Sequence, residues 1–211
     1  QQGADDQQGA DDQQGADEQQ QGADEQQQGT DAADESPERA SIARASLVLS
    51  YSKKAYTGKP LKPSVAVTYD GRKLVEGMDY VVSYKNNKTC GKATVTVVGI
   101  GAYASSKSAS FAIVPAKVTG VKVVCKKKAK ATVKWSAKKA KASKASGFRI
   151  CYKAKGAKKK YVVVNSTKIA SKVVSKLKRG KKTTFKVQAY VTIGGKRVYG
   201  AWSKTLAKKV K

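Results

Sequence analysis

Polar and apolar residues alternate strictly over one stretch late in the chain. Thr183, Phe185, Val187 and Ala189 fall on one face, and Thr184, Lys186 and Gln188 on the other. A period of two marks a strand with one face on a core and one in water. The same pattern recurs upstream. Val65, Val67 and Tyr69 alternate, then Tyr80, Val82 and Tyr84, then Ala93, Val95 and Val97, then Ala109, Phe111 and Ile113. Turn signals separate the runs: Asp70-Gly71, Asn86-Asn87 and Gly99-Ile100-Gly101. Short strands at spacings of about ten residues, with no helical period, predict antiparallel β-sandwiches.

Val114-Pro115 is a natural joint, because proline holds the residue before it extended and makes a short, stiff link. Seven strand-like runs follow it. Parity turns Val121, Val123 and Cys125 inward, with Val133, Trp135, Phe148, Ile150 and Tyr152. Cys151 then points outward, so no disulfide with Cys125 is expected. Leu177 opens the turn before the Thr183 strand. The predicted core comprises Tyr80, Val82, Tyr84, Val95, Phe111, Trp135, Phe148, Ile150, Tyr152, Leu177, Phe185 and Val187. The predicted organisation is all-β: a tail over 1–45, one sandwich over 46–115 and a second over 116–211.

The tail opens QQGADD, QQGADD, QQGADE, a six-residue repeat that drifts to seven. Its apolar content is almost all Ala. Such a segment cannot bury enough surface to offset its ordering entropy, so disorder is expected. Its Asp pairs lack the turn glycine and terminal Glu of a calcium loop. The chain begins at Gln1 without Met or an apolar signal core, which reads as a processed or truncated product.

Charge changes the picture. The chain carries 43 Lys and Arg against 15 Asp and Glu, a formal net charge of +28. Only Asp70, Glu76 and Asp79 of the 15 acids follow Arg39, so 12 lie in the first 39 residues. An acidic tail is thus joined to a basic body, and it would compete with outside anions for the basic faces, within a screening length of roughly 8 Å.

Histidine is absent, which removes the usual general base and the commonest metal ligand. Cys90, Cys125 and Cys151 are far apart, and Glu76 and Asp79 sit too close in sequence to work as a glycosidase pair. No catalytic residue, cofactor or metal is expected. Cys90 and Cys151 are candidate exposed thiols, open to activation by nearby lysines. Tyr103, Tyr161, Tyr199 and Trp202 are a candidate sugar platform, with Trp202 also able to lie along lysine stems. No run of 18 apolar residues is present.

Two resemblances carry further expectations. YTGKPLKPSVAVTYDGRKLVEGMDYVVSYKNN, then GKATVTVVGIGAYASS and SFAI, resembles the bacterial Ig-like repeats of Gram-positive surface proteins over Tyr56 to Ile113. Cys90 departs from the small or aliphatic residue usual there. Trp135 in KATVKWS, the FRICY run, Leu177-x-x-Gly180, the FKVQAY strand and GAWS at 200–203 resemble a fibronectin type III domain over Lys117 to Val210. Thr183 stands where that family has its corner tyrosine, which implies a looser corner. Together they imply a non-catalytic module of an extracellular, cell-wall or secreted bacterial protein, acting as spacer, wall association or adhesion region towards a host or neighbouring surface. No LPxTG-type motif follows the last strand, so covalent anchoring there is not expected.

The basic residues are mostly Lys, a hydrated point charge suited to diffuse attraction of polyanions. The candidate contacts are Lys126, Lys127, Lys128, Lys158, Lys159, Lys160, Lys181 and Lys182. The candidate partner is an anionic cell-wall polymer or acidic glycan. Two alternatives stand beside this reading. One is an accessory region of an extracellular enzyme whose catalytic domain lies upstream. The other is a nucleic-acid or polyanion binder, since KKKAKATVKWSAKKAKASKASG superficially resembles a linker-histone tail. No nucleic-acid motif appears, and the lysines run through period-two strands.

Overall fold

Alternating runs too short to be helices must bury one face against another sheet, and they do so twice in the computed structural model, which describes residues 38–211. The repeat over 1–37, and the disorder expected of it, lie outside the described residues.

The first sandwich sets three strands against four. β2 (Ser46–Leu49), β4 (Val65–Tyr69) and β5 (Arg72–Lys73) form one sheet in that order. The other runs β3 (Lys53–Ala55), β9 (Ser106–Val114), β7 (Gly91–Gly99) and β6 (Tyr80–Lys85). Ala93, Val95, Val97, Phe111 and Ile113 are buried between them, as are Tyr80 and Val67. The sandwich is not wholly antiparallel: β3 lies parallel to β9, and β1 (Ala40–Ser41) parallel to β8 (Tyr103–Ala104).

The boundary drawn at residue 45 is corrected. Ile42 is fully buried and Ala45 nearly so, both in the core with Val67, Leu74 and Tyr103. Side chains fix this segment in place. Arg39 donates to the carbonyls of Gly101 and Tyr103, and Lys107 donates to those of Ala43 and Ala45. Ile42 and Ala45 lie three residues apart across a single tight turn, Ile42–Arg44, so no period of two marks them, although their burial makes them core.

The second sandwich sets β10 (Lys122–Val124), β11 (Ala131–Lys134) and β14 (Ser171–Val174) against a larger sheet. That sheet runs β13 (Lys160–Val164), β12 (Gly147–Ala154), β15 (Lys182–Ile193) and β16 (Lys196–Tyr199), with β17 (Leu206–Lys209) also paired to β15. Three strands facing this five-stranded sheet make an Ig-like, fibronectin type III-like sandwich. Trp135 packs on Phe148 at 5.2 Å between ring centroids, and Phe148, Ile150, Phe185, Val187 and Ala189 are fully buried. Val82, Tyr84 and Tyr152 pack against the cores while half-buried. The lysines after Trp135 do not all lie on strands, since Lys138–Ala142 forms one short helix that buries Ala140.

The joint is a packed seam as well as a stiff link. Val191, Ile193 and Val198 of the second sandwich share a cluster with Leu61, Cys90, Ala93 and Phe111 of the first. The Cys90 amide donates to the Ser143 carbonyl at 2.8 Å.

Candidate polyanion-binding pole

Strand direction decides where the lysines go. β15 runs from Lys182 to Ile193 and reaches the seam at its C-terminal end, so the loops at its start lie at the far end of the sandwich. Three loops gather there. The first, 125–130, joins β10 to β11; the second, 155–159, joins β12 to β13; the third, 175–181, joins β14 to β15. Main-chain bonds tie them together: Leu177 N–H donates to Ala129 O at 3.0 Å, and Lys155 N–H to Lys182 O at 3.0 Å. Gly180 N–H reaches Val210 O at 2.9 Å, and Ala129 N–H reaches Lys211 O at 2.8 Å.

All eight lysines singled out in the sequence are exposed, and they lie in these loops or on the strand residues that follow them. Sequence reasoning missed their neighbours. Lys130 belongs with the first loop, Lys155 with the second, and Lys176, Lys178 and Arg179 with the third. Their signal was present in the same Lys and Gly runs. Ala129 and Lys176 adopt left-handed backbone conformations (φ 53° and 58°), which only the turn geometry of the loops imposes on residues with a Cβ.

No acid balances this charge from within the sandwich. Of 43 basic residues, 12 precede residue 116 and 31 follow, and no Asp or Glu lies beyond Asp79. Among the described residues the one ion pair, Arg72 to Asp79 at 3.9 Å, belongs to the first sandwich. A groove of about 500 Å³ runs along the outer face of the smaller sheet. Val124, Thr132 and Val173 form its base, and Lys126, Lys127, Lys130 and Lys134 line it.

The four aromatics separate. Tyr103 is buried in the first sandwich against Tyr69. Tyr161, Tyr199 and Trp202 meet around the Arg149 guanidinium, at 4.9, 3.6 and 5.2 Å from their ring centroids. Lys186 Nζ lies 4.5 Å from the Trp202 ring, so this tryptophan does cover a lysine. The rings are occupied by protein cations, an arrangement that holds the outer face of the sheet together.

That cover corrects the thiol assignments. Cys151 lies between Tyr161 and Lys186 on the outer face, yet it is buried, and Gln188 beside it is 2% exposed. Cys90 is buried in the seam, where desolvation raises its thiol above the ordinary value and a hydrogen bond with Ser143 pulls it partly back. Cys125 is half-buried, and desolvation outweighs the lowering effect of Lys208. Lysine proximity therefore does not activate Cys90 or Cys125. Among the described residues no cluster of acids and cysteines is placed to hold a metal ion, and no helix is long and apolar enough to cross a membrane.

No family model and no curated protein matches the chain. Solved structures do. "Myokine structure" is similar at 20% identity and a TM-score of 0.36, over 46% of this chain and 97% of that one. The third fibronectin III domain of human KIAA0343 protein is similar at 17% and 0.39, over 44% of this chain and 80% of that one. Chicken CNTN1 FN1-FN3 domains are similar at 15% and 0.40, over 82% of this chain and 68% of that one.

Proposed function

We propose that the chain is a non-catalytic module working outside the cell, and that the basic pole of its second sandwich holds anionic polymers. One observation carries the reading: three loops, each carrying three or four cations, converge at one end of a sandwich that contains no acid. The loops carry lysines with a single Arg, so recognition is by charge density more than by bidentate geometry. Binding of that kind is diffuse, fast and steeply salt-dependent. An anionic wall polymer or an acidic glycan has the repeating charge that such a pole favours. The first sandwich, locked to the second through the seam, then serves as the rigid spacer.

The test is retention on purified anionic wall polymer across a salt series. Wild type should be retained at low salt and released as salt rises. Lys→Gln changes at Lys126, Lys127, Lys158, Lys159, Lys181 and Lys182 should flatten the salt dependence. The same number of changes on the first sandwich should alter it much less. Retention unchanged at high salt, or absent at low salt, defeats the proposal. Duplex DNA of equal charge, run as a competitor, separates polymer binding from a nucleic-acid role.

A further inference from the structure

A cavity of about 50 Å³ opens at the basic pole, where β12, β13 and the loop before β15 meet. Leu177 and Thr183 line its buried side, and the exposed Lys158, Lys160, Lys176 and Lys178 line its mouth. Thr183 is fully buried, and its Oγ1 has no hydrogen-bond partner in the protein. Other buried hydroxyls are paired. Ser143 Oγ donates to Ala140 O, and Ser203 Oγ accepts from Val187 N–H while donating to Lys204 O. A buried hydroxyl left without a partner is costly, and here its residue lines a cavity that four lysines also line.

We infer that this cavity receives a single oxyanion, a carboxylate or phosphoryl group borne by the polymer, and that Thr183 Oγ1 donates to it. This rests on the polyanion reading and deepens it: the pole then combines diffuse attraction with one discrete seat. The volume admits a group a few water molecules in size, so a pendant or terminal substituent enters and a sugar ring does not. A hydrogen bond to a charged oxygen is the strong kind, and the four lysines replace the water the anion leaves behind. The same geometry explains how Thr183 is tolerated at a fully buried position with an unpaired hydroxyl.

The experiment titrates the full chain with glucuronate, glycerol phosphate and inorganic phosphate, followed by NMR at the Thr183 methyl and amide. Saturable one-to-one binding of at least one probe is expected, and the probe that saturates identifies the source of the oxyanion. Thr183→Val keeps the shape and removes the donor, and should weaken that binding at least tenfold. Thr183→Ser keeps the donor and should retain binding. Both variants should keep the salt dependence of polymer retention. The inference is overturned if no probe saturates, or if Thr183→Val binds as tightly as wild type, while polymer retention persists. Loss of wild-type polymer retention at low salt would instead overturn the polyanion reading beneath it.

Discussion

One methyl group added at Gly200 tests whether the seam is as tight as its packing implies. A Cβ there would lie 2.1 Å from the Pro115 carbonyl oxygen and 3.0 Å from its carbon. Carbon and oxygen do not ordinarily approach closer than about 3.3 Å. The two backbones must therefore separate by roughly 1 Å, and the obstacle is main chain, which cannot swing aside like the end of a side chain. Little around it can yield. Gly200 N–H donates to Ala189 O at 3.0 Å, Ala189 is fully buried, and Pro115 and Val114 are buried at the joint. Relief comes either by breaking that hydrogen bond, at about 1 kcal/mol, or by lifting the linker and loosening the contacts of Val191. Overpacking of this kind costs about 1–3 kcal/mol. For a unit of this size, a loss of about 2 kcal/mol lowers the melting midpoint by roughly 4–8 °C. Calorimetry and urea unfolding of Gly200→Ala read this directly. A midpoint and a denaturant slope equal to wild type would show that the close approach is not maintained in solution, and the argument for a rigid joint would fail.

The thiols make a second test. In the folded protein Cys125 should react first with a bulky thiol reagent, and Cys90 and Cys151 only as fast as the structure opens; peptide mapping that finds Cys90 or Cys151 labelled as quickly as Cys125 contradicts their burial. Cys90 also predicts a pH effect. Desolvation raises it above its ordinary value of 9.0, so the folded state keeps a proton that the unfolded chain releases. Its contribution is intact below about pH 9 and is lost as pH rises through the folded value. Cys90→Ala should flatten the decline in stability above pH 9, and identical slopes in urea titrations would refute it. Arg149→Lys should cost about 1–2 kcal/mol despite keeping the charge, because an ammonium cannot stack its plane on Tyr199. Equal unfolding midpoints would mean that the rings hold the face without the guanidinium.

Much of the fold is written in local alternation. Thr183, Phe185, Val187 and Ala189 read as one inward face, and all four are fully buried. The lysine loops were legible for a similar reason, because Lys and Gly runs break the alternation and mark turns. Alternation fails where burial comes from elsewhere in the chain. Gln188 and Cys151 sit on the face assigned to water, and it is Tyr161, Tyr199, Trp202 and Arg149 that cover it. Nothing within either strand encodes that cover. The seam is hidden in the same way, since Val191 and Val198 look like the ends of a hairpin until Phe111 and Leu61 are brought against them. Ile42 and Ala45 had no period to betray them. The cavity beneath Thr183 depends on the meeting of three segments, which no single run could announce.

The strand that joins pole to seam has a mechanical consequence. β15 spans twelve residues, roughly 36 Å at about 3.3 Å per step, with the lysine loops at one end and Val191 at the other. Tension between a polymer held at the loops and the first sandwich would run along this strand. Its eight paired positions with β12 lie side by side along that line. They would be loaded together in shear, so that many hydrogen bonds must fail at once before the strand can slide.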